Sequence, residues 1–326
     1  MRARRHPLPA RRPELVGGRT ARVDDLERLA HRRDREQRPA RTAAELPLHL
    51  SNAPRPTRVR ALLPPLLRAP GPVPATAGRG GNTVSVNTVI VTGGASGVGR
   101  ALVGRLLDAG KTVITCDIDE PGLKSLAIEH EGRPLETHVT DVASHEDCDA
   151  FMDRVLAAHP NVNGLVNNAG LYLGQPVWEY DDATIERVIA VNIKGPVWLS
   201  RRLADHLLPA KRRGAIVNLA SVAGEVGSSD ALYGTVKAGV IGLTKSNAMN
   251  FAPYIRVNVV SPGLIVNTAI ADRIPDYRYA EYKRQEQLDG DILPEYVADV
   301  CAYLLSDESR TLTGALLRAD NGSYPR

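Results

Sequence analysis

Tyr233 and Lys237 stand four residues apart in Tyr233-Gly-Thr-Val-Lys237. On a helix that spacing sets both side chains on one face, so a phenol and an ammonium point the same way. The pairing has a chemical use. A free tyrosine ionises near pH 10 and is a poor base at neutral pH. A cation beside it favours the phenolate and brings it toward the working range. Ser221 lies 12 residues earlier, just past an apolar run, where its hydroxyl can hold a substrate oxygen. A Tyr/Lys pair also decorates many solvated helix faces, so its meaning depends on what else the chain carries.

The second chemistry-bearing stretch is 86–110. Val86 to Thr92 is short, apolar and β-branched; Gly93-Gly-Ala-Ser-Gly-Val-Gly99 is a glycine-rich turn. Leu102, Val103, Leu106 and Leu107 follow at helical spacing, and Gly110 can stop the helix. Strand, glycine turn and helix in that order make a phosphate-binding loop. The helix start offers free N–H groups, and missing Cβ atoms let a pyrophosphate approach the backbone. Gly93, Ser96, Gly97, Val98 and Gly99 are therefore candidate nucleotide contacts.

Asp117, 18 residues past Gly99, closes the next strand, with Ile118 after it. A carboxylate there can accept from the adenosine ribose hydroxyls and would repel a 2′-phosphate. Ser96, not a cation, precedes Gly97. Both features favour NAD over NADP. Asp117 is also suited simply to cap the turn into Asp119-Glu-Pro121. Asp141 and Val142 close the third strand, where they can meet the adenine ring or serve the turn.

These groups need a frame that gathers strand ends. Strands are predicted at Thr112–Cys116, Leu135–Val139, Val162–Val166, Ala215–Ala220, Ile255–Val260 and Ala315–Arg318. Helices are predicted at Glu120–His130, Ser144–His159, Asp182–Leu208 with a bend near Gly195-Pro196, Ala231–Phe251 and Pro294–Leu305. This alternation predicts an α/β fold: one Rossmann-like, doubly wound domain of about seven parallel strands with helices on both faces. Its ligand would sit at the carboxyl ends of the strands, where strand order reverses.

With those elements in place, residues 84–322 resemble the short-chain dehydrogenase/reductase family in its compact form. Thr92-Gly-Gly-Ala-Ser-Gly-Val-Gly99 is similar to TGxxxGxG, Asn167-Asn168-Ala169-Gly170 to NNAG, and Tyr233 with Lys237 to YxxxK. Asn192 in Val191-Asn-Ile-Lys-Gly195 and Ser221 in Asn218-Leu-Ala-Ser221 match the family's catalytic Asn and Ser. Ser261-Pro262-Gly263, followed by Thr268, matches its PG motif. The resemblance implies that Tyr233 is the general acid/base and that Lys237 lowers its pKa and holds the nicotinamide ribose. It implies that Ser221 orients the substrate oxygen and that Asn192 holds a water linking Lys237 to solvent. Asn168, Ala169, Gly170, Pro262, Gly263, Ile265 and Thr268 would flank the cofactor. The hydride passes between nicotinamide and substrate carbon. An NAD-dependent exchange of a secondary alcohol and a ketone is expected. The alternatives are an NADP-dependent 3-oxoacyl-type ketoreductase and a non-catalytic NAD(P)-sensing protein. Family members of this size are homotetramers or homodimers paired through the two long helices. One departure is Asp320-Asn321-Gly322 in place of Asp-Gly-Gly, expected to touch the last strand and not the chemistry.

Charge divides the 326-residue chain. Residues 1–82 hold 18 Arg, no Lys and 7 acidic residues; the remainder holds 23 basic and 30 acidic residues. The Arg/Pro-rich extension reads either as sequence upstream of a true start near Val84 or as a disordered tail, and 83–326 as the NAD-binding domain. A basic arm can bind nucleic acid, but nothing else here points that way. Arg273, Arg278, Lys283 and Arg284 offer an anion pocket or, with their acidic neighbours, a solvated helix face. Cys116, Cys148 and Cys301 are odd in number and scattered. They argue for a reducing, cytoplasmic setting and against a metal site. No apolar run is long enough to span a membrane.

Overall fold

A computed structural model describes residues 86–324, so the expectations for 1–82 lie outside the described residues. Seven strands form one all-parallel sheet: β1 (Thr88–Thr92), β2 (Thr112–Asp117), β3 (Leu135–Val139), β4 (Gly164–Asn167), β5 (Gly214–Leu219), β6 (Ile255–Pro262) and β7 (Leu316–Ala319). Their order is β3-β2-β1-β4-β5-β6-β7. The direction of winding reverses between β1 and β4, which opens a crevice at their carboxyl ends.

Helices cover both faces, as the unbroken apolar character of the central strands demands. The helices are α1 (Gly97–Asp108), α2 (Glu120–Glu129), α3 (His145–Ala158), α4 (Asp182–Ile189), α5 (Gly195–Leu207), α6 (Ala223–Val226), α7 (Ala231–Asn250), α8 (Asp276–Gln285) and α9 (Pro294–Leu305). Side chains alternate along β1. Val89 and Val91 pack with Leu102, Val103 and Leu106 of α1 and Val297, Cys301 and Leu304 of α9. Ile90 faces the other way, onto Phe151 and Met152 of α3 and Leu199 and Leu203 of α5. The period-two pattern thus feeds two cores separated by the sheet.

The predicted long helix is α4 and α5 joined by a π-helical turn, Ala190–Lys194. The irregularity falls before Gly195-Pro196 and carries Asn192. Gly195 is required by packing: a Cβ there would lie 2.6 Å from the Val142 carbonyl oxygen. A buried amide ladder ties the layers together. Asn167 Nδ2 donates to Ser200 Oγ at 3.1 Å and to Asn218 Oδ1 at 2.8 Å, and Asn218 Nδ2 donates to Thr244 Oγ1 at 2.9 Å. It registers β4 and β5 with α5 and α7, and so fixes the helix that carries Tyr233 and Lys237. Among the described residues no helix is long and apolar enough to cross a membrane.

Candidate active site

The crevice is a cleft of about 440 Å³ running from the carboxyl ends of β2 and β3 to the start of α7. At its centre is the loop between β1 and α1. Gly93 and Gly97 adopt φ of +72° and +53°, backbone conformations that glycine takes without steric cost. Ser96, the N-cap residue of α1, makes no side-chain cap, and the first turn holds no acidic residue. Its leading N–H groups and the positive end of the helix dipole are therefore available to an anion. This cradle fits the pyrophosphate of a dinucleotide. Gly99 serves the loop from beneath: a Cβ there would lie 1.9 Å from the Gly93 carbonyl oxygen. It is absent from the cleft lining.

The end of the cleft at β2 and β3 is lined by Asp117, Ile118, Asp141 and Val142. The turn reading of Asp117 is met. Its Oδ2 accepts from Ala95 N at 3.0 Å, and its Oδ1 accepts from Asp119 N at 3.1 Å. Each oxygen retains a lone pair for a further donor. Asp141 accepts from Ala143 N at 2.9 Å and from Arg187 Nη1 at 2.5 Å. Burial pushes its carboxyl up, but the Arg187 guanidinium and the Ala143 amide outweigh that and hold it below the usual range. Arg187 also lines the cleft. No sequence signal marked it, because it reaches Asp141 from α4.

Asn168, Ala169 and Gly170 follow β4 and line the cleft, but the Asn168 side chain is spent on bracing. Its Nδ2 donates to the carbonyls of Thr92 at 2.8 Å and Gly93 at 3.1 Å. On the opposite wall, Pro262 ends β6, and Gly263, Ile265 and Thr268 follow it. Thr268 Oγ1 donates to the Ile265 carbonyl at 3.0 Å and accepts from Ala271 N at 3.2 Å, fixing the turn into the segment after β6.

Ser221, Tyr233 and Lys237 meet at the other end of the cleft. Ser221 follows β5 and accepts from Ala223 N at 3.2 Å. Tyr233 is in the first turn of α7, and Lys237 Nζ lies 5.5 Å from its ring centroid. Lys237 is buried and donates to the Leu219 carbonyl at 2.9 Å. Burial pushes its ammonium down to about 8. Burial also pushes the Tyr233 phenol up; a hydrogen bond with Ser221 opposes this, while Tyr172 and Asp230 add to it. Burial is thus the largest influence on the phenol, and the Lys237 cation alone does not set its acidity. Tyr172 packs edge-on against Tyr233 with centroids 4.9 Å apart.

Asn192 is buried on the π turn, outside the cleft lining. Its Nδ2 donates to the carbonyls of Leu171 at 3.0 Å and Val188 at 2.9 Å. Its Oδ1 and Lys237 Nζ approach Gly170 from two sides: a Cβ on Gly170 would lie 3.2 Å from the first and 3.3 Å from the second.

The cations of the segment after β6 do not line the cleft. Arg278 pairs with Glu281 at 2.7 Å, and Lys283 with Glu286 at 2.7 Å, so both are matched by acidic neighbours. Tyr282, Gln285, Glu286 and Tyr324 do line it. Asn321 Nδ2 donates to Glu286 Oε2 at 2.9 Å, so the Asp-Asn-Gly departure touches the cleft wall through Glu286. Among the described residues no group of His, Cys, Asp and Glu is arranged to hold a metal.

Fold and site define a doubly wound nucleotide-binding domain with a Ser–Tyr–Lys group beside its phosphate loop. The sequence profile described as short chain dehydrogenase matches residues 87–278. The chain is 34% identical over 237 residues to a 3-oxoacyl-(acyl-carrier-protein) reductase of Thermotoga maritima, covering 72% of this chain and 96% of that one. It is 34% identical over 247 residues to cis-4-hydroxycyclohexanecarboxylate dehydrogenase of Sinomonas cyclohexanicum, covering 74% and 98%. The solved structure of 4-hydroxyisoleucine dehydrogenase complexed with NADH is similar at a TM-score of 0.68 and 30% identity, covering 74% and 99%. The chain belongs to the short-chain dehydrogenase/reductase family. It is an oxidoreductase acting on hydroxyl or keto groups with a nicotinamide cofactor.

Proposed function

We propose that the chain interconverts a secondary alcohol and a ketone with NAD as redox partner, and that Tyr233 handles the proton. The observation that carries this reading is the opening of Ser221, Tyr233 and Lys237 onto the cleft that begins at Asp117 and the glycine loop. The nicotinamide, when bound, accepts the hydride in oxidation and donates it in reduction.

The chain supplies position and proton handling. Ser221 Oγ and the Tyr233 hydroxyl hold the substrate oxygen from two sides. In oxidation Tyr233 takes the hydroxyl proton, and in reduction it returns one. Lys237, with its ammonium near 8, holds or releases a proton within the working range. Asn192 fixes the backbone beside Lys237 and lines the route to solvent. The N–H groups of Gly97, Val98 and Gly99 would hold the pyrophosphate, Asp117 and Ile118 the ribose, and Asp141 and Val142 the adenine. Ala169, Gly170, Pro262, Gly263, Ile265 and Thr268 form the walls toward the nicotinamide, while Asn168 acts by bracing Gly93.

NAD is favoured over NADP by the Asp117 carboxylate at the ribose position. The Thermotoga relative supports a second reading, reduction of a 3-oxoacyl thioester. Against its NADP-dependent form, the one cation lining the cleft among the described residues that lies near the β2–β3 end, Arg187, is paired with Asp141 and not free for a 2′-phosphate. The test is a screen of secondary alcohols with NAD and NADP, followed by reduced-nicotinamide absorbance. Tyr233→Phe is expected to lose turnover and keep NADH binding by fluorescence. Retained turnover in Tyr233→Phe, or preference for NADP in the wild type, would overturn the respective half of the proposal.

A further inference from the structure

Outside the motif residues, one fully buried carboxyl group touches the site from behind. Asp230 is 0% exposed and stands three residues before Tyr233. Its Oδ1 accepts from Tyr233 N at 2.9 Å, which caps the first turn of α7. Its Oδ2 accepts from Gly174 N at 3.1 Å and from the Tyr180 hydroxyl at 2.8 Å. Gly174 and Tyr180 belong to the loop after β4, 56 and 50 residues earlier in the chain. The same loop carries Tyr172, whose ring packs edge-on against Tyr233. Gly174 itself, at φ +73°, leaves no slack: a Cβ there would lie 3.3 Å from the Tyr172 hydroxyl and from the Arg273 carbonyl oxygen.

We propose that Asp230 is a positioning residue that latches the 171–181 loop to the catalytic helix, so that closure of the loop sets the Tyr233 phenol. The proposal rests on the reading of Tyr233 as the proton-handling group. A buried carboxylate is costly unless its oxygens are met by donors. Here the cost is offset by donors from two separate elements, so opening the loop would strand half of the group. Loop order and helix cap are thereby made one cooperative unit. The two oxygens divide the work: Oδ1 serves the helix and Oδ2 serves the loop.

That division yields a test that separates a latch from a plain helix cap. Asparagine caps a helix as well as aspartate does. In Asp230→Asn the remaining oxygen can cap Tyr233 N, but an NH2 group then confronts the Gly174 N–H, donor against donor. Tyr180→Phe leaves the cap whole and removes one loop contact. The measurement is amide hydrogen exchange of the whole protein. In Asp230→Asn the 171–181 segment, Gly174 above all, is expected to exchange at least about tenfold faster, with the later turns of α7 unchanged. Tyr180→Phe should show the same effect in smaller measure. The Tyr233 ring resonance, identified by its loss in Tyr233→Phe, is expected to shift in Asp230→Asn. Unchanged exchange of 171–181 in Asp230→Asn, or an unmoved Tyr233 resonance, would overturn the latch. These readouts need no substrate. If Tyr233→Phe keeps its turnover while they shift, the proton role has failed and the latch stands.

Discussion

Lys237 Nζ lies 5.5 Å from the centroid of the Tyr233 ring and gives a hydrogen bond to the Leu219 carbonyl at 2.9 Å. Helical spacing brings the two together, and burial sets their acidities in opposite directions. The ammonium is pushed down to about 8 and the phenol is pushed up. Each group is thus held nearer its neutral form than in water, and the ionised pair is an expensive state that binding must support.

That cost predicts a trade between stability and turnover at Lys237. Its folded value is about 8, below the usual value of a lysine. Below pH ~8 both folded and unfolded chains hold the proton, and the folded state bears the full burial penalty. Between ~8 and ~10.4 the unfolded chain binds more protons, so wild-type stability rises with pH through that window. Lys237→Met carries no such penalty but leaves the Leu219 carbonyl without its donor, a loss of about 1 kcal/mol. The variant is expected to be inactive yet more stable at pH 7 by ~1–2 kcal/mol, an advantage that vanishes near pH 10.5. Urea unfolding at both pH values checks this. A variant less stable at pH 7 would show that the burial penalty is not expressed.

Gly99→Ala tests the floor of the phosphate loop. The new methyl would lie 1.9 Å from the Gly93 carbonyl oxygen and 2.6 Å from Asn168 Nδ2. Backbone must shift, since neither neighbour is a free side-chain end. The expected results are a stability loss of ~1–3 kcal/mol and at least about tenfold weaker NADH binding by fluorescence titration. Wild-type affinity would show that the loop does not depend on this close approach.

The local parts of this site were legible in the sequence and the long-range parts were not. Leu135–Val139 and Pro294–Leu305 occur with the boundaries their apolar periodicity predicts. The glycine turn was readable because strand, loop and helix are contiguous. The helix start at Ser144 was readable, and the Ser144 hydroxyl caps it by accepting from Asp147 N at 3.1 Å. Arg187 and Asp230 escaped notice because their partners come from other elements, 46 residues away at Asp141 and 56 away at Gly174. The burial that raises the Tyr233 phenol escaped for a related reason. Spacing along a helix reports direction, whereas desolvation is set by everything packed around it. Asn321 looked remote from the chemistry until its contact with Glu286 brought it to the cleft wall.

Asp117→Asn tests the cofactor preference through the sign of its effect. Removing the charge takes away an acceptor for ribose hydroxyls and a repulsion against a 2′-phosphate. Asp117 also holds Ala95 N and Asp119 N, so loop damage alone would weaken both cofactors together. The expected outcome is NAD binding weaker by about tenfold with NADP binding tighter. Isothermal titration with both cofactors distinguishes the two. Equal weakening would assign Asp117 to the loop rather than to selection.

Gly170→Ala addresses the space shared by Asn192 and Lys237. The added methyl would sit 3.2 Å from Asn192 Oδ1 and 3.3 Å from Lys237 Nζ, close enough that one must yield by a few tenths of an ångström. Asn192 is held by two backbone carbonyls, so the lysine end gives way more easily. Filling the space also removes polar surroundings from an ammonium that burial already holds near 8, which lowers it further. If protons leave Tyr233 by way of Lys237 and Asn192, turnover should fall about tenfold while NADH affinity stays within about twofold. The basic limb of the pH–rate profile assigned to Lys237 should move to lower pH in the same variant. Turnover and profile both equal to wild type would mean that the proton takes another way out.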